Sequence, residues 1–103
     1  MKSFGDLMKQ AQKMQRQMTE AEEKMAEAKF EASAGGGMVK VVVDGRGRVK
    51  ELKIDPKALE EKDITLIEDL VLTAVGEAQR SAEEKMKETM GKITGGMNLP
   101  FMS

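Results

Sequence analysis

The fold is decided by residues 35–47, which read GGGMVKVVVDGRG. The segment from Met38 to Asp44 is rich in valine, and β-branched residues favour extended strands. The three glycines before it interrupt the chain. The Asp-Gly-Arg-Gly sequence after it is typical of a hairpin turn, because glycine accepts the positive φ angles that such turns need. This stretch therefore predicts a central β-strand with a turn at each end.

A further strand is predicted on each side of the central one. On the N-terminal side, Phe30, Ala32 and Ala34 alternate with polar residues, which is the two-residue period of a strand. On the C-terminal side, residues 48–55 form a third strand whose alternation breaks near residues 50–51, which indicates a β-bulge. Three consecutive strands joined by short glycine turns predict an antiparallel meander.

A first helix is predicted over residues 4–28, and Ser3 with Asp6 forms a capping box at its start. Its apolar residues follow at alternating steps of three and four, which is the heptad spacing of a coiled-coil seam. The seam is narrower than an ordinary core-facing stripe. A two-helix or dimer seam is therefore favoured, and packing of the helix on its own domain is the alternative. The seam consists of Phe4, Leu7, Ala11, Met14, Met18, Ala21, Met25 and Ala28.

Residues 56–62 are expected to form one or two helical turns, followed by a long helix over residues 65–93. Thr65 and Glu68 supply a capping box for the long helix, and Gly91 is expected to mark its end. The first part of the helix is apolar almost all round, so it should bury against the sheet. The apolar residues are Leu66, Ile67, Leu70, Val71, Leu72, Ala74, Val75, Ala78, Ala82, Met86, Met90 and Ile93.

The lengths of these elements predict a homodimer. Helices of 25 and 29 residues are about 37 and 43 Å long, whereas a seven-residue strand spans about 23 Å. Both helices therefore overhang the sheet, and they can pair as a projecting arm. The open edges and uncovered face of a three-stranded sheet then favour a second copy in a two-fold arrangement. The candidate residues of the dimer or helix seam are Leu7, Met14, Met18, Met25, Met86 and Met90.

The composition argues against an enzyme. The chain has 103 residues with no His and no Cys, which removes the usual zinc sites and the nucleophiles that His activates. The phosphate-binding glycine motifs are incomplete, since Gly91-Lys92 is followed by Ile93 and the Gly45-Arg46-Gly47 segment leads into a strand. We therefore expect no catalytic residue, no metal, no cofactor and no small-molecule substrate.

The sequence contains neither an apolar run long enough to span a membrane nor a signal-peptide pattern. We therefore expect a cytoplasmic protein without a membrane partner. Residues 1–94 are predicted to form a single α+β domain, and residues 95–103 are predicted to form a flexible C-terminal tail.

Charge is placed unevenly along the chain, although the formal net charge is only −1. Residues 1–18 carry four basic side chains against one acidic side chain, and the basic ones lie opposite the heptad seam. In the second helix the basic residues are interspersed with glutamates. The candidate DNA-contacting residues are Lys2, Lys9, Lys13, Arg16, Arg80, Lys85, Lys87 and Lys92.

An antiparallel arrangement of the two helices would bring their basic ends to one tip, and a dimer would present two such tips with a cleft between them. These tips could grip the phosphates of a duplex, which predicts salt-sensitive binding with weak sequence preference. Arg46 and Arg48 are a second candidate phosphate contact, although turn residues are often charged for solubility alone. The alternative for all these cations is that they only keep a small protein soluble.

The chain also resembles the YbaB/EbfC family of bacterial nucleoid-associated proteins over nearly its whole length. The shared features are residues 35–47, then Val49, Leu52 and Ile54-Asp55-Pro56, the segment MKQAQKMQ at 8–15 and the segment GGMNLP at 95–100. The resemblance implies an α-β-β-β-α protomer and a tweezer-like homodimer that binds double-stranded DNA in the nucleoid, alters its conformation and influences gene expression. It also implies that the helices contact DNA, which carries over to Lys9 and Lys13.

Two other functions remain open at this point. The Met-lined helices could hold a partner helix, as Met-rich grooves do, which would make the protein a non-enzymatic interaction adaptor. Alternatively, the protein could be a purely structural dimer whose activity belongs to a larger complex.

Overall fold

The computed structural model describes residues 3–95, apart from the side chain of Glu61. Each element lies within one residue of the bounds that the sequence predicts, and the predicted α-β-β-β-α protomer is confirmed. The predicted tail from residue 96 onward and the candidate Lys2 lie outside the described residues. The elements are α1 (Phe4–Glu27), β1 (Lys29–Ala34), β2 (Val39–Asp44), β3 (Val49–Ile54), a 3-10 helix (Pro56–Glu61) and α2 (Ile64–Thr94).

The three strands form one antiparallel sheet in the order β1-β2-β3, as the meander predicts. Val42 pairs with Glu51 and Val43 pairs with Val49, so Lys50 is an extra residue on β3. This extra residue is the predicted β-bulge. Gly47 has a φ of +84°, a value that favours glycine in the turn between β2 and β3.

The core lies between one face of the sheet and α2. Val39, Val41 and Val43 on β2 are fully buried against α2, which presents a stripe of small residues to them. A stripe of alanines lets a helix approach a sheet closely, so the β-branched residues of the central strand are sealed from water. The buried alanines of α2 are Ala74, Ala78 and Ala82.

The prediction that the first part of α2 buries all its apolar residues is wrong. Leu72 remains 71% exposed and Leu66 remains 39% exposed. The reason is geometric, because a helix about 10 Å across covers about two strands that lie about 4.8 Å apart. In this fold α2 packs on β1 and β2, and every residue of β3 is exposed.

Both ends of α2 differ from the predicted capping. The N-cap is Asp63 rather than Thr65, because the Asp63 carboxylate accepts a hydrogen bond from the Leu66 N–H at 3.1 Å. At the other end, α2 continues past Gly91 to Thr94. The predicted capping box at the start of α1 is confirmed, with reciprocal hydrogen bonds between Ser3 and Asp6.

Gly45 holds α1 against the β2–β3 turn, and its substitution by alanine should loosen that contact. The Gly45 N–H donates to the Met25 carbonyl oxygen at 2.7 Å, and an added Cβ would meet that oxygen and lie 2.7 Å from the Met25 Cβ. We expect Gly45→Ala to lower the free energy of unfolding by about 1–3 kcal/mol, because backbone atoms cannot rotate away. Chemical denaturation measures this loss.

Gly91→Ala is the matched control, because nothing lies within 4 Å of a Cβ added there. Since alanine is the better helix former, this variant should gain up to about 1 kcal/mol. Equal stabilities of the two variants would contradict the close approach at Gly45.

Candidate nucleic-acid interface

The two helices leave the same end of the sheet and form an arm. At this end the Gly45 N–H bonds to Met25 near the end of α1, and the Gln79 side-chain amide donates to the Gly47 carbonyl at 2.9 Å. From here α2 continues away from the sheet, whereas α1 runs toward it, so the two helices are antiparallel. The protomer is accordingly elongated, with extents of 70 × 25 × 16 Å.

The root of the arm is a helix pair within one protomer. A cleft of about 380 Å³ lies between the helices, and its lining includes Ala21 and Met25 from α1 and Thr89 and Ile93 from α2. Met25 is buried, which places this candidate seam residue in the helix pair. The half-buried seam candidates are Met14, Met18, Met86 and Met90.

Of the described residues 3–95, only those of α1 form the tip of the arm. From Met25, α1 extends 21 residues to Phe4, or about 32 Å, whereas α2 extends only about 22 Å from Gln79 to Thr94. The heptad seam therefore continues past the end of α2 within the described residues. Its distal residues are uncovered there, with Phe4 78% exposed and the seam candidate Leu7 53% exposed.

Three candidate cations lie on this distal half of α1. Lys9, Lys13 and Arg16 follow steps of four and three residues, so they share one side of the helix, and all three are exposed. Between Ser3 and Gly95, no ion pair involves any of them. Their positive charge is therefore available to a ligand.

The candidate cations of α2 are placed differently, because glutamates of the same helix neutralise three of them. Lys87 lies 3.3 Å from Glu83, and both Lys85 and Lys92 lie near Glu88, at 3.6 and 3.2 Å. A side-chain hydrogen bond from Lys92 and the positive charge of Lys85 hold the pKa of Glu88 below its usual value. Arg80 is exposed, with no ion pair in the part of the chain that the structure describes.

Asp44 is a structural residue that sequence reasoning treated only as part of a turn. Its side chain is buried, and Oδ1 accepts hydrogen bonds from the N–H groups of Arg46 (2.9 Å) and Arg48 (3.0 Å). Burial raises the pKa of Asp44. The two N–H groups and the charges of Lys50 and Arg48 together lower it more, so the pKa of this carboxyl lies below its usual value. In the sequence, the signal for this structural role of Asp44 is the Asp-Gly-Arg-Gly turn that it begins.

Residues 3–95 contain neither a cluster of metal ligands nor a membrane-spanning helix. No group of three or more acidic side chains in this range is placed to hold a metal ion. Neither helix, over its described length, is apolar enough to cross a membrane.

Comparison with known proteins gives consistent matches. The sequence model of the YbaB/EbfC DNA-binding family matches residues 1–97. A nucleoid-associated protein of Alkaliphilus metalliredigens is 43% identical over 98 residues, covering 95% of this chain and 86% of the relative. A nucleoid-associated protein of Saccharopolyspora erythraea is 47% identical over 95 residues, covering 92% of this chain and 82% of the relative.

A similar fold is present in a solved structure, the crystal structure of the uncharacterized protein HP0035 from Helicobacter pylori. The TM-score is 0.76 and the sequence identity is 27%, and the match covers 85% of this chain and 92% of that one.

Proposed function

Because the chain belongs to the YbaB/EbfC DNA-binding family, which is not a family of enzymes, we propose that it binds double-stranded DNA in the nucleoid as a homodimer. The observation that carries this proposal is the row of cations on α1, formed by Lys9, Lys13 and Arg16, which make no ion pair with any other described residue. We refer to these three residues as the α1 row. Their position on a projecting arm makes them accessible to a ligand as large as a duplex.

The α1 row suits the DNA backbone better than the bases. Lys9 and Arg16 lie seven residues apart, or about 10 Å along the helix axis, which is close to the major-groove width of about 12 Å. Three point charges at this spacing can neutralise phosphates on both sides of a groove. Phosphate contacts carry no sequence information directly, so weak sequence preference is expected.

The proposed dimer interface is an apolar surface on β3 and the neighbouring flank of α2. Leu52 pairs with Val41 and Ile54 pairs with Val39, so these β3 side chains share the face on which α2 packs. They are nevertheless 46% and 39% exposed, because α2 does not extend over them. On α2, Leu72 lies seven residues from Gln79, whose amide bonds to the β2–β3 turn, so Leu72 points toward the β3 side.

We name this surface the β3 patch and propose that a second copy covers it. A contiguous exposed apolar surface of this kind marks an interface. The same patch on both copies would meet in a two-fold contact, which leaves both arms free to project. The patch consists of Val49, Leu52, Ile54, Leu72 and Val75.

Two arms that grip one duplex would restrain its path, which is how the protein would alter DNA conformation and influence gene expression. Bending a short duplex costs a few kcal/mol, and additional phosphate contacts can offset that cost. The formal charge of the dimer is slightly negative, since each chain has a net charge of −1. Attraction therefore depends on the local charge of the arms, and affinity should be modest.

Gel-shift titrations of two duplexes with unrelated sequences test the proposed function. The six cations of the two α1 rows should by themselves give a slope of log affinity against log salt of about −5, at about 0.9 for each phosphate contact. Affinity should therefore fall roughly 10³-fold between about 50 and 200 mM salt, equally for both duplexes. Absence of binding at the lower salt concentration would contradict a DNA-binding function.

One observation favours the adaptor as a second candidate. The distal seam of α1 stays exposed, including Phe4 and Leu7, and an apolar helix stripe of this kind can bind an amphipathic partner helix. Absence of duplex binding at low salt would favour this function over the first.

A further inference from the structure

The turn between β2 and β3, residues 44–49, is fixed to both helices at the root of the arm. The Gly45 N–H bonds to the Met25 carbonyl of α1, and the Gln79 amide of α2 bonds to the Gly47 carbonyl. The turn therefore keeps a constant position relative to the α1 row. Arg16 lies nine residues from Met25, or about 14 Å along α1, the axial distance spanned by about four nucleotides of one DNA strand.

Hydrogen bonds within the turn also hold its shape, and they occupy the carboxylate of Asp44, which is the only acidic side chain of the turn. The Asp44 N–H donates to the Arg48 carbonyl oxygen, and the Asp44 carbonyl oxygen accepts a hydrogen bond from the Gly47 N–H, each at 2.9 Å. Its Oδ1 atom accepts from two further N–H groups, and its Oδ2 atom lies 3.7 Å from the Lys50 ammonium. The contacts from Arg46 and Arg48 to Asp44 come from their backbones, so both guanidinium groups remain without an ion pair along residues 3–95.

A groove of about 380 Å³ separates this turn from α2. Its lining includes Arg46 from the turn and Gln79, Glu83 and Lys87 from α2. Lys87 and Glu83 form an ion pair at 3.3 Å, with both side chains more than half exposed. Glu83 already offsets the charge of Lys87, so Arg46 supplies the positive charge that a phosphate in this groove would meet.

We infer that Arg46 and Arg48 form a second phosphate site, for the backbone of the same duplex that the α1 row holds. The inference rests on the proposed function and extends it from the arm to its root. A guanidinium group presents a planar fork of donors that matches two phosphate oxygens at once, so arginine suits this contact better than lysine. Because the turn is rigid, little backbone order is lost when the phosphate binds.

The double variant Arg46→Ala with Arg48→Ala tests this site in the full-length protein. With these four additional contacts in a dimer the wild-type slope should be about −9, and the double variant should make it less steep by about 3.6 and weaken binding at least about tenfold. Denaturation curves should match the wild type, because the hydrogen bonds of the turn use backbone N–H groups of these residues. Arg46→Lys with Arg48→Lys should bind with intermediate affinity, since this variant keeps the positive charge but loses the planar guanidinium groups.

Lys40→Ala with Lys53→Ala is the matched control. These two lysines pair across β2 and β3 toward the other end of the sheet, so the control removes the same charge at a distance from the turn. Wild-type affinity in the arginine variant, or an equal loss in the control, would overturn the second site and leave the proposed function standing. Failure of the wild-type protein to bind at low salt would instead overturn the proposed function.

Discussion

Reversing the charge of the α1 row, by Lys9→Glu, Lys13→Glu and Arg16→Glu together, is expected to abolish duplex binding. Each protomer would lose three phosphate contacts and gain three repulsive charges, so affinity should fall by more than roughly 10³-fold at moderate salt. The mass of the proposed dimer and the helix content should stay unchanged, because all three side chains are exposed and glutamate is a good helix former. Gel shifts and circular dichroism measure the two effects.

The control for the α1 row neutralises the same number of charges on α2. Replacement of Lys85, Lys87 and Lys92 by alanine should reduce affinity much less than the corresponding alanine replacement of the α1 row, because Glu83 and Glu88 already offset these lysines. Equal losses in the two alanine variants would show that both helices carry the contact. That result would contradict the assignment to α1.

The sequence was sufficient to predict the secondary structure because the deciding signals are local. The valines of β2 and the glycines on either side of it determine strand and turn within a few residues. The Ser3–Asp6 pair sets the start of α1 in the same way. Even the bulge at Lys50 was visible as a break in the alternation of β3.

Burial could not be predicted in the same way, because it depends on how many strands a helix covers. Leu72 and Ile67 are similar in sequence terms and both belong to α2, but Ile67 is buried whereas Leu72 is exposed on the flank of the helix. The apolar residues of a helix cannot indicate whether a sheet or a second copy covers them. The same limit applies to the α2 lysines, since their neutralisation depends on the side-chain conformations of neighbouring glutamates.

The structure also divides the heptad seam into two parts that the sequence presents as one. The root half, with Met25, packs against α2, whereas the distal half, with Leu7, extends beyond the end of α2. The spacing alone predicts one unbroken heptad seam and does not indicate where its partner ends. The contact ends where α2 ends, because α1 extends farther from the sheet than α2 does.

The β3 patch gives the second large expected effect, because Leu52→Asp should convert the proposed dimer into monomers. A charge at the centre of an apolar interface would lose its hydration without gaining a partner, and the substitution changes no buried residue of the protomer itself. Sedimentation at low micromolar concentration should then give the single-chain mass of 11.3 kDa. The salt slope for DNA should fall to about half, since only one arm remains per particle.

Leu7→Asp, an equal change at an exposed leucine of the distal seam, should leave the dimer intact. Dissociation by Leu7→Asp together with an intact Leu52→Asp dimer would place the interface on the α1 seam instead.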